Sequence, residues 1–238
     1  MDDLDIFDEL DPLAEFWPPR FPPLLTGRQV AAGIDPMPTA IARMRADGDP
    51  AEVLYTPDRD RLRLAITLAP EVDRLSALQM GHALMLALGD AIGALAPPEV
   101  GVQYRWPTTI LVNGGACGRL RLALADGAED AVPGWMVVGL DLWLTPRGEH
   151  EPGDRPEDTA LYDEGTGSIP LARLLESTSR HFLSWLHRWD IDGFAPLRDA
   201  WSARQEAGGA TLDDRGRRVA SDAAGQSESL EAAAETIA

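Results

Sequence analysis

The chain has 238 residues, with 39 acidic against 21 basic side chains and a formal net charge of −18. That balance argues against sequence-independent nucleic-acid binding, which depends on cations that neutralise phosphates. We expect no membrane span and no export signal, because no uncharged apolar run approaches about 18 residues and the first residues are acidic. The single cysteine, Cys117, excludes an intramolecular disulfide and a multi-cysteine zinc cage, so the expected location is a reducing cytoplasm.

Three sections are predicted along the chain. Residues 1–19 form an acidic, proline-rich flexible arm, since charged and proline-rich sequence does not support a packed core. Residues 20–205 carry regular apolar patterns and form the folded domain. Residues 206–238 are small, polar and weakly patterned, which is typical of a flexible tail. The stretch FWPPRFPPLL at 16–25 is predicted to be extended, because proline is excluded from helix interiors.

The first elements of the domain are a helix and two strands. The helix is predicted over 36–46, with Asp35 as its N-cap and Pro36 at its first position. Strands are predicted over 52–56 and 62–68, and the second alternates apolar and polar residues as a half-buried strand does. Only the short sequence TPDRDR connects these two strands.

Two long helices and a further strand complete the domain. Helices are predicted over 73–94 and 169–189, where apolar residues recur with a period of 3.6, and a strand is predicted over 135–144. His82 in the first of these helices is open to interpretation as a catalytic base. We favour a satisfied or exposed helix residue, which is the more frequent situation of a histidine in a helix.

A β-hairpin is predicted at 105–120, with the sequence RWPTTILVNGGACGRL. Its first strand ends in the apolar run Ile110–Val112, which suits a buried pleated surface. Asn113-Gly114 follows at once, and Asn-Gly is the strongest short-range hairpin signal because both residues tolerate positive φ. The return strand then alternates leucines with arginine and alanine up to Leu124.

This hairpin resembles the signature hairpin of the biotin–protein ligase and lipoate–protein ligase superfamily. In that superfamily a basic residue and Trp-Pro-Asn-Asp precede an apolar strand, an Asn-Gly turn with a lysine, and a small residue followed by glycine. The matching residues are Arg105, Trp106, Pro107, Asn113, Gly114 and Gly118. Thr108 and Thr109 replace the Asn-Asp pair, and Gly115 and Ala116 stand where the lysine belongs.

A second resemblance lies near the end of the domain, where Gly193–Leu197 followed by Trp201 is similar to the last helices of biotin ligase catalytic domains. Together the two matches imply an α+β fold. It consists of a mixed, largely antiparallel β-sheet backed by helices, as in the catalytic domains of class II aminoacyl-tRNA synthetases and biotin ligases.

The resemblance also implies an activity. Superfamily members activate biotin, lipoate or another fatty acid with ATP and Mg²⁺, release pyrophosphate, and pass the acyl group to a lysine of a biotinyl or lipoyl carrier domain. It implies no resident metal site and leaves the catalytic residues unassigned. The substrate- and adenylate-binding residues that it implies are Arg105, Trp106, Pro107, Thr108, Asn113, Gly114, Gly115, Gly118 and Arg119.

Departures from the superfamily pattern fall on the residues that handle charge. The long glycine- and arginine-rich loop of biotin ligases, which stabilises the phosphate, is reduced here to TPDRDR. We expect Arg119, or Arg59 and Arg61, to replace the missing lysine if the chain is active.

Asp141 lies in a strand where family members have glycine. We expect it on a solvent or cleft face, since a buried carboxylate without a partner is costly.

Three functions remain open from the sequence. The first is an active, divergent acyl–protein ligase. The second is a non-catalytic binding or scaffold protein that keeps the ligase fold. The third is a transferase that accepts a preactivated acyl group, which would use a cysteine or lysine nucleophile. Cys117 is the one cysteine available, and its place in the return strand favours a structural role.

Overall fold

Seven strands form one mixed sheet in the computed structural model, which describes residues 17–146, 157–219 and 227–231. The acidic part of the predicted arm lies outside these residues. The strands are β1 (Thr26–Gln29), β2 (Glu52–Tyr55), β3 (Arg61–Leu68), β4 (Val102–Arg105), β5 (Thr109–Val112), β6 (Gly115–Leu124) and β7 (Met136–Trp143). Their spatial order is β1-β2-β3-β7-β6-β5-β4, and only β1 and β2 pair in parallel. The predicted mixed, largely antiparallel sheet is confirmed.

Helices cover both faces of this sheet. On one face, α2 (Arg74–Leu95) and α3 (Leu171–Asp192) pack against each other and against the large core, and the short α4 (Ala195–Ser202) lies beside them. On the other face, α1 (Pro36–Arg45) packs on Ala65 and Val137 in a smaller cluster. Since side chains alternate along a strand, β3 sends its leucines to the large core and Ala65 to α1.

Helix α2 is the central element of the core. Asp73 caps it by accepting a hydrogen bond from the Ser76 backbone N–H. Gly89 permits a close approach, because a Cβ there would lie 2.4 Å from the Tyr104 hydroxyl. Among the described residues, α2 is the one helix long and apolar enough to cross a membrane, and 78% of its most apolar stretch is buried inside the fold. A core helix of a globular domain meets the same criterion.

The described part of 206–238 contains regular structure, which differs from the predicted flexible tail. Three short strands, β8 (Thr211–Leu212), β9 (Arg218–Val219) and β10 (Ser227–Glu228), form a separate antiparallel sheet. Beyond them Leu230 is 2% exposed, and a Cβ on Gly81 of α2 would lie 2.8 Å from its side chain. Leu230 and Leu212, which is 6% exposed, join this polar stretch to the large core, and the stretch has no periodic apolar pattern that would have indicated these contacts.

His82 lies inside an aromatic cluster formed by α2, α4 and the signature hairpin. Its ring centroid is 6.2 Å from that of Trp106, 5.4 Å from Phe194 and 5.3 Å from Trp201. Neither ring nitrogen has a hydrogen-bond partner among the described residues, and burial lowers the pKa of His82 to about 3. The imidazole is therefore neutral and enclosed, which supports the structural interpretation over a catalytic base.

Stability should depend on pH through His82. An unfolded histidine takes up a proton below its ordinary pKa of 6.5, whereas His82 in the folded protein stays neutral until the pH approaches its lowered pKa of about 3. The free energy of unfolding should therefore fall as the pH is lowered through this window, by about 1.4 kcal/mol per pH unit from this residue. We expect a His82→Leu variant to lose that contribution in urea unfolding measured from neutral to acid pH. Identical pH slopes for the two proteins would contradict this assignment.

Candidate functional site

The Asn113-Gly114 turn joins β5 and β6, which confirms the predicted hairpin. Asn113 has φ of 50° and Gly114 has φ of 90°, as a tight hairpin turn requires. The Asn113 side chain accepts a hydrogen bond of 2.9 Å from the Gly101 N–H and donates one of 3.3 Å to the Glu164 carbonyl. Both of its polar ends therefore hold neighbouring backbone, and its role here is to fix the turn.

The residues before β5 fasten the hairpin to the rest of the domain. Arg105 donates to the Glu206 carboxylate at 2.9 Å. Trp106 packs in the His82 cluster, and its indole N–H lies 3.4 Å from the Glu228 carboxylate. Pro107 is buried. These three predicted binding residues therefore pack towards the helices and the C-terminal segment.

Two of the predicted glycines are explained by close packing. A Cβ on Gly118 would lie 2.4 Å from the Asp141 carbonyl oxygen in β7, and one on Gly115 would lie 2.8 Å from Thr159. Real Cβ atoms do not approach backbone this closely, so Gly118 is required for β6 and β7 to pair. The resemblance at Gly118 follows from the fold of the hairpin.

Asp141 is buried at the middle of the sheet, on the face that α1 covers. Arg61 binds it with two hydrogen bonds, from Nε to Oδ1 and from Nη2 to Oδ2, and its guanidinium lies 4.3 Å from the centroid of the Trp143 ring. We expected Asp141 on a solvent or cleft face; it is 5% exposed, so the solvent-facing alternative is wrong. The bidentate partner from β3 makes the burial tolerable.

Two further arginines of this face are also held by carboxylates. Arg63 donates to Asp58, which in addition accepts a 2.8 Å hydrogen bond from the Gly33 N–H. Arg121 donates to Asp35, the N-cap of α1. Burial alone would raise the pKa of Asp35 and of Asp58, but the hydrogen bonds from the arginines and the backbone outweigh it, so both pKa values lie below the ordinary value. Both carboxylates are ionised near neutral pH.

A cavity of about 460 Å³ runs beside β6, between α1, the start of α2 and the C-terminal segment. Its lining includes Arg45, Arg74, Thr108, Arg119, Arg121 and Trp135. The Glu231 carboxylate accepts two hydrogen bonds from Arg74, of 2.9 and 2.6 Å. Arg119, by contrast, is exposed and forms no ion pair within the part of the chain that the structure describes. An unneutralised guanidinium at a concave site is suited to a carboxylate or a phosphate.

The structure brings only two of the predicted site residues, Thr108 and Arg119, to the cavity wall. Sequence reasoning did not identify Arg45, Arg74 and Arg121 as cavity residues. A signal existed for Arg121, because residues two apart in a strand share a face and Arg119 had been identified. Arg45 and Arg74 reach the cavity only through the packing of α1 and α2, which local pattern does not reveal.

The possible cations are limited, because the sequence contains no lysine and all 21 basic residues are arginines. Arg61, which we expected as a possible replacement for the family lysine, forms an ion pair with Asp141.

Metal binding has little support around the cavity, where arginines hold Asp35, Asp141 and Glu231. No cluster of three or more metal-binding side chains occurs among the residues described. The donor set does not fit a resident Mg²⁺ ion.

Comparison with solved structures identifies the class of protein. The fold is that of biotin protein ligases: a point mutant of the Aquifex aeolicus enzyme, solved in complex with biotin, superposes with a TM-score of 0.67 at 12% identity, covering 87% of this chain and 96% of that chain. A crystal structure from Silicibacter sp. TM1040, described as a biotin protein ligase-like protein of unknown function, is 37% identical with a TM-score of 0.80. That match covers 89% of this chain and 97% of the other.

Sequence comparison gives the family. The model of the Biotin/lipoate A/B protein ligase family matches residues 21–203, and the chain belongs to this family. A biotin–[acetyl-CoA-carboxylase] ligase of Paracoccus denitrificans is 30% identical over 140 residues. That match spans 58% of this chain and 58% of the length of that relative.

Removal of Arg61 should destabilise the protein by leaving Asp141 buried without its bidentate partner. We expect Arg61→Met to lower the free energy of unfolding by about 3–5 kcal/mol, and the double variant Arg61→Met/Asp141→Leu to recover most of this loss. The matched control is Arg188→Met, because Arg188 faces Asp192 in an exposed pair at 3.9 Å and its loss should cost under about 1 kcal/mol. Urea unfolding measures all three. A double variant as unstable as Arg61→Met would contradict the role of the pair.

Proposed function

We propose that this chain activates a carboxylic acid with ATP and passes the acyl group to a lysine of a carrier protein. Membership of the ligase family supports the reaction class, and the relatives solved with ligands include the Aquifex aeolicus enzyme in complex with biotin and ATP. The observation that carries the proposal for this chain is Arg119. It is a guanidinium without an ion pair among the described residues, and it lines a cavity next to Gly118 of the signature hairpin.

Arg119 has the chemistry that the missing lysine would supply. In the first step an oxygen of the substrate carboxylate attacks the α-phosphorus of ATP, and pyrophosphate leaves. Negative charge grows on the phosphate oxygens, and a fixed cation stabilises it without reorganising. In the second step the amine of the carrier lysine attacks the acyl carbonyl, loses a proton and displaces AMP. Arginine binds both carboxylates and phosphates through two parallel N–H donors, which suits both stages.

The proposed ligands are ATP with biotin or lipoate as the acid, and the proposed partner is a biotinyl or lipoyl carrier domain. Because arginines hold Asp35, Asp141 and Glu231, a magnesium ion would have to enter with the phosphates of ATP. The single buried cysteine is compatible with work in a reducing cytoplasm.

The second candidate is an acid-binding or scaffold protein without catalysis. It is favoured by the short connection between β2 and β3 and by the commitment of Arg61 and Arg63 to carboxylates. A family member that cannot cradle the phosphates would still bind an acid at Arg119. The two candidates therefore share the cavity and differ only in whether pyrophosphate is released.

Pyrophosphate release from ATP separates the candidates. Purified protein should release it when offered one of biotin, lipoate or octanoate, and Arg119→Gln should lower that rate about 10²–10³-fold, as loss of one oxyanion donor does. Arg218→Gln is the matched control, because Arg218 is an exposed arginine of β9 outside the cavity lining. Absence of release with all three acids and with the dicarboxylates octanedioate and dodecanedioate, from protein whose unfolding is cooperative, would reject catalysis and favour the acid-binding protein.

A further inference from the structure

A second arginine without an ion pair lines the same cavity. Arg45 is exposed at the last position of α1, and its guanidinium lies 5.8 Å from the centroid of the Trp135 ring. Like Arg119, it forms no ion pair within residues 17–146, 157–219 and 227–231. The chain has 39 acidic side chains, yet two arginines at one cavity have no carboxylate partner among the described residues. A ligand with carboxylate groups would pair with both.

The two cations line different parts of the cavity wall. Arg119 belongs to the hairpin end of β6. Trp135, beneath Arg45, lies at the other end, where its backbone carbonyl accepts a hydrogen bond from the Ala125 N–H. From Arg119 to Ala123 the strand advances four residues, or about 13 Å at roughly 3.3 Å per residue. The wall of the cavity along β6 therefore extends about 13 Å between these two positions, and we call this part of the cavity the groove.

The wall between these cations is mainly apolar. Ile41, Ala123 and Trp135 are half-buried side chains that pack against the α1 cluster and also line the cavity. Arg121 in the middle is held by Asp35, and Arg74 is held by Glu231. Asp126 at the far end is the one other acidic residue in the lining, and it is exposed. The groove thus offers cationic ends and an apolar centre.

We propose that the acid bound in this groove is an extended dianion, an α,ω-dicarboxylic acid. One carboxylate would contact Arg119 and undergo activation, and the other would contact Arg45 over the Trp135 ring. A fatty acid with a neutral end would cover Arg45 without giving its guanidinium a carboxylate partner. The desolvation of that unpaired charge would lower the affinity for such a fatty acid relative to a dicarboxylate. This inference rests on the proposed function, since it uses Arg119 as the cation at the reacting end.

Calorimetric titration without nucleotide tests the proposal directly. The probes are octanoate, octanedioate, dodecanoate and dodecanedioate, with ATP as a separate ligand. The wild-type protein should bind one of the dicarboxylates at least about tenfold more tightly than the matching monocarboxylate, the gain expected for one charge-assisted hydrogen-bonded contact. Arg45→Gln should abolish this preference, whereas Arg119→Gln should weaken both acids. Arg218→Gln should behave as wild type.

The remaining outcomes separate this inference from the proposed function. Equal affinity for mono- and dicarboxylates, together with pyrophosphate release, would overturn the dianion and leave the ligase proposal standing. Binding of ATP that Arg45→Gln weakens, with no preference for dicarboxylates, would make the far end a nucleotide phosphate site and overturn the inference. No binding of any of the four acids, from protein that unfolds cooperatively, would overturn the dianion, and pyrophosphate release with biotin or lipoate would then decide the ligase proposal separately.

Discussion

The buried ion pair of Asp141 with Arg61 determines which arginines remain available for a ligand on the face of the sheet where the cavity lies. A carboxylate at the centre of a seven-stranded sheet is tolerable only with a cation that reaches it in both lone-pair directions. β3 supplies that cation, because its register places Arg61 and Arg63 beside Trp143 and Asp141 of β7. Arg61 is thereby withdrawn from ligand binding. With Arg63 and Arg121 also paired, Arg119 is the arginine of β3 and β6 left for a ligand on this face.

Strands β3, β6 and β7 contribute side chains to both faces of the sheet, because successive side chains along a strand point to opposite faces. Leu64 of β3 and Leu140 of β7 enter the large core with α2, while Arg63 and Asp141 occupy the opposite face. The apolar face builds the large core on α2 and α3, and the opposite face carries Asp141, one of the differences from the family pattern.

Much of the fold was predictable because its signals are local. The Asn-Gly turn, the alternation along β3 and the helical period of α2 each lie within a few consecutive residues. The site was less predictable because its contacts are not local. Arg61 is 80 positions from Asp141, and Arg121 is 86 positions from Asp35. Composition likewise gives no indication that a single leucine, Leu230, docks on α2.

The all-arginine cation set has a consequence for reagents that attack amines. A mixed anhydride that escapes from the cavity would meet no ε-amine on this polypeptide, because the sequence contains no lysine. Guanidinium groups stay protonated at every physiological pH and do not act as nucleophiles there. The mixed anhydride of the proposed reaction therefore cannot form a stable amide on a side chain of this protein. Stable amide adducts on lysine in a reaction mixture would report the acceptor protein alone.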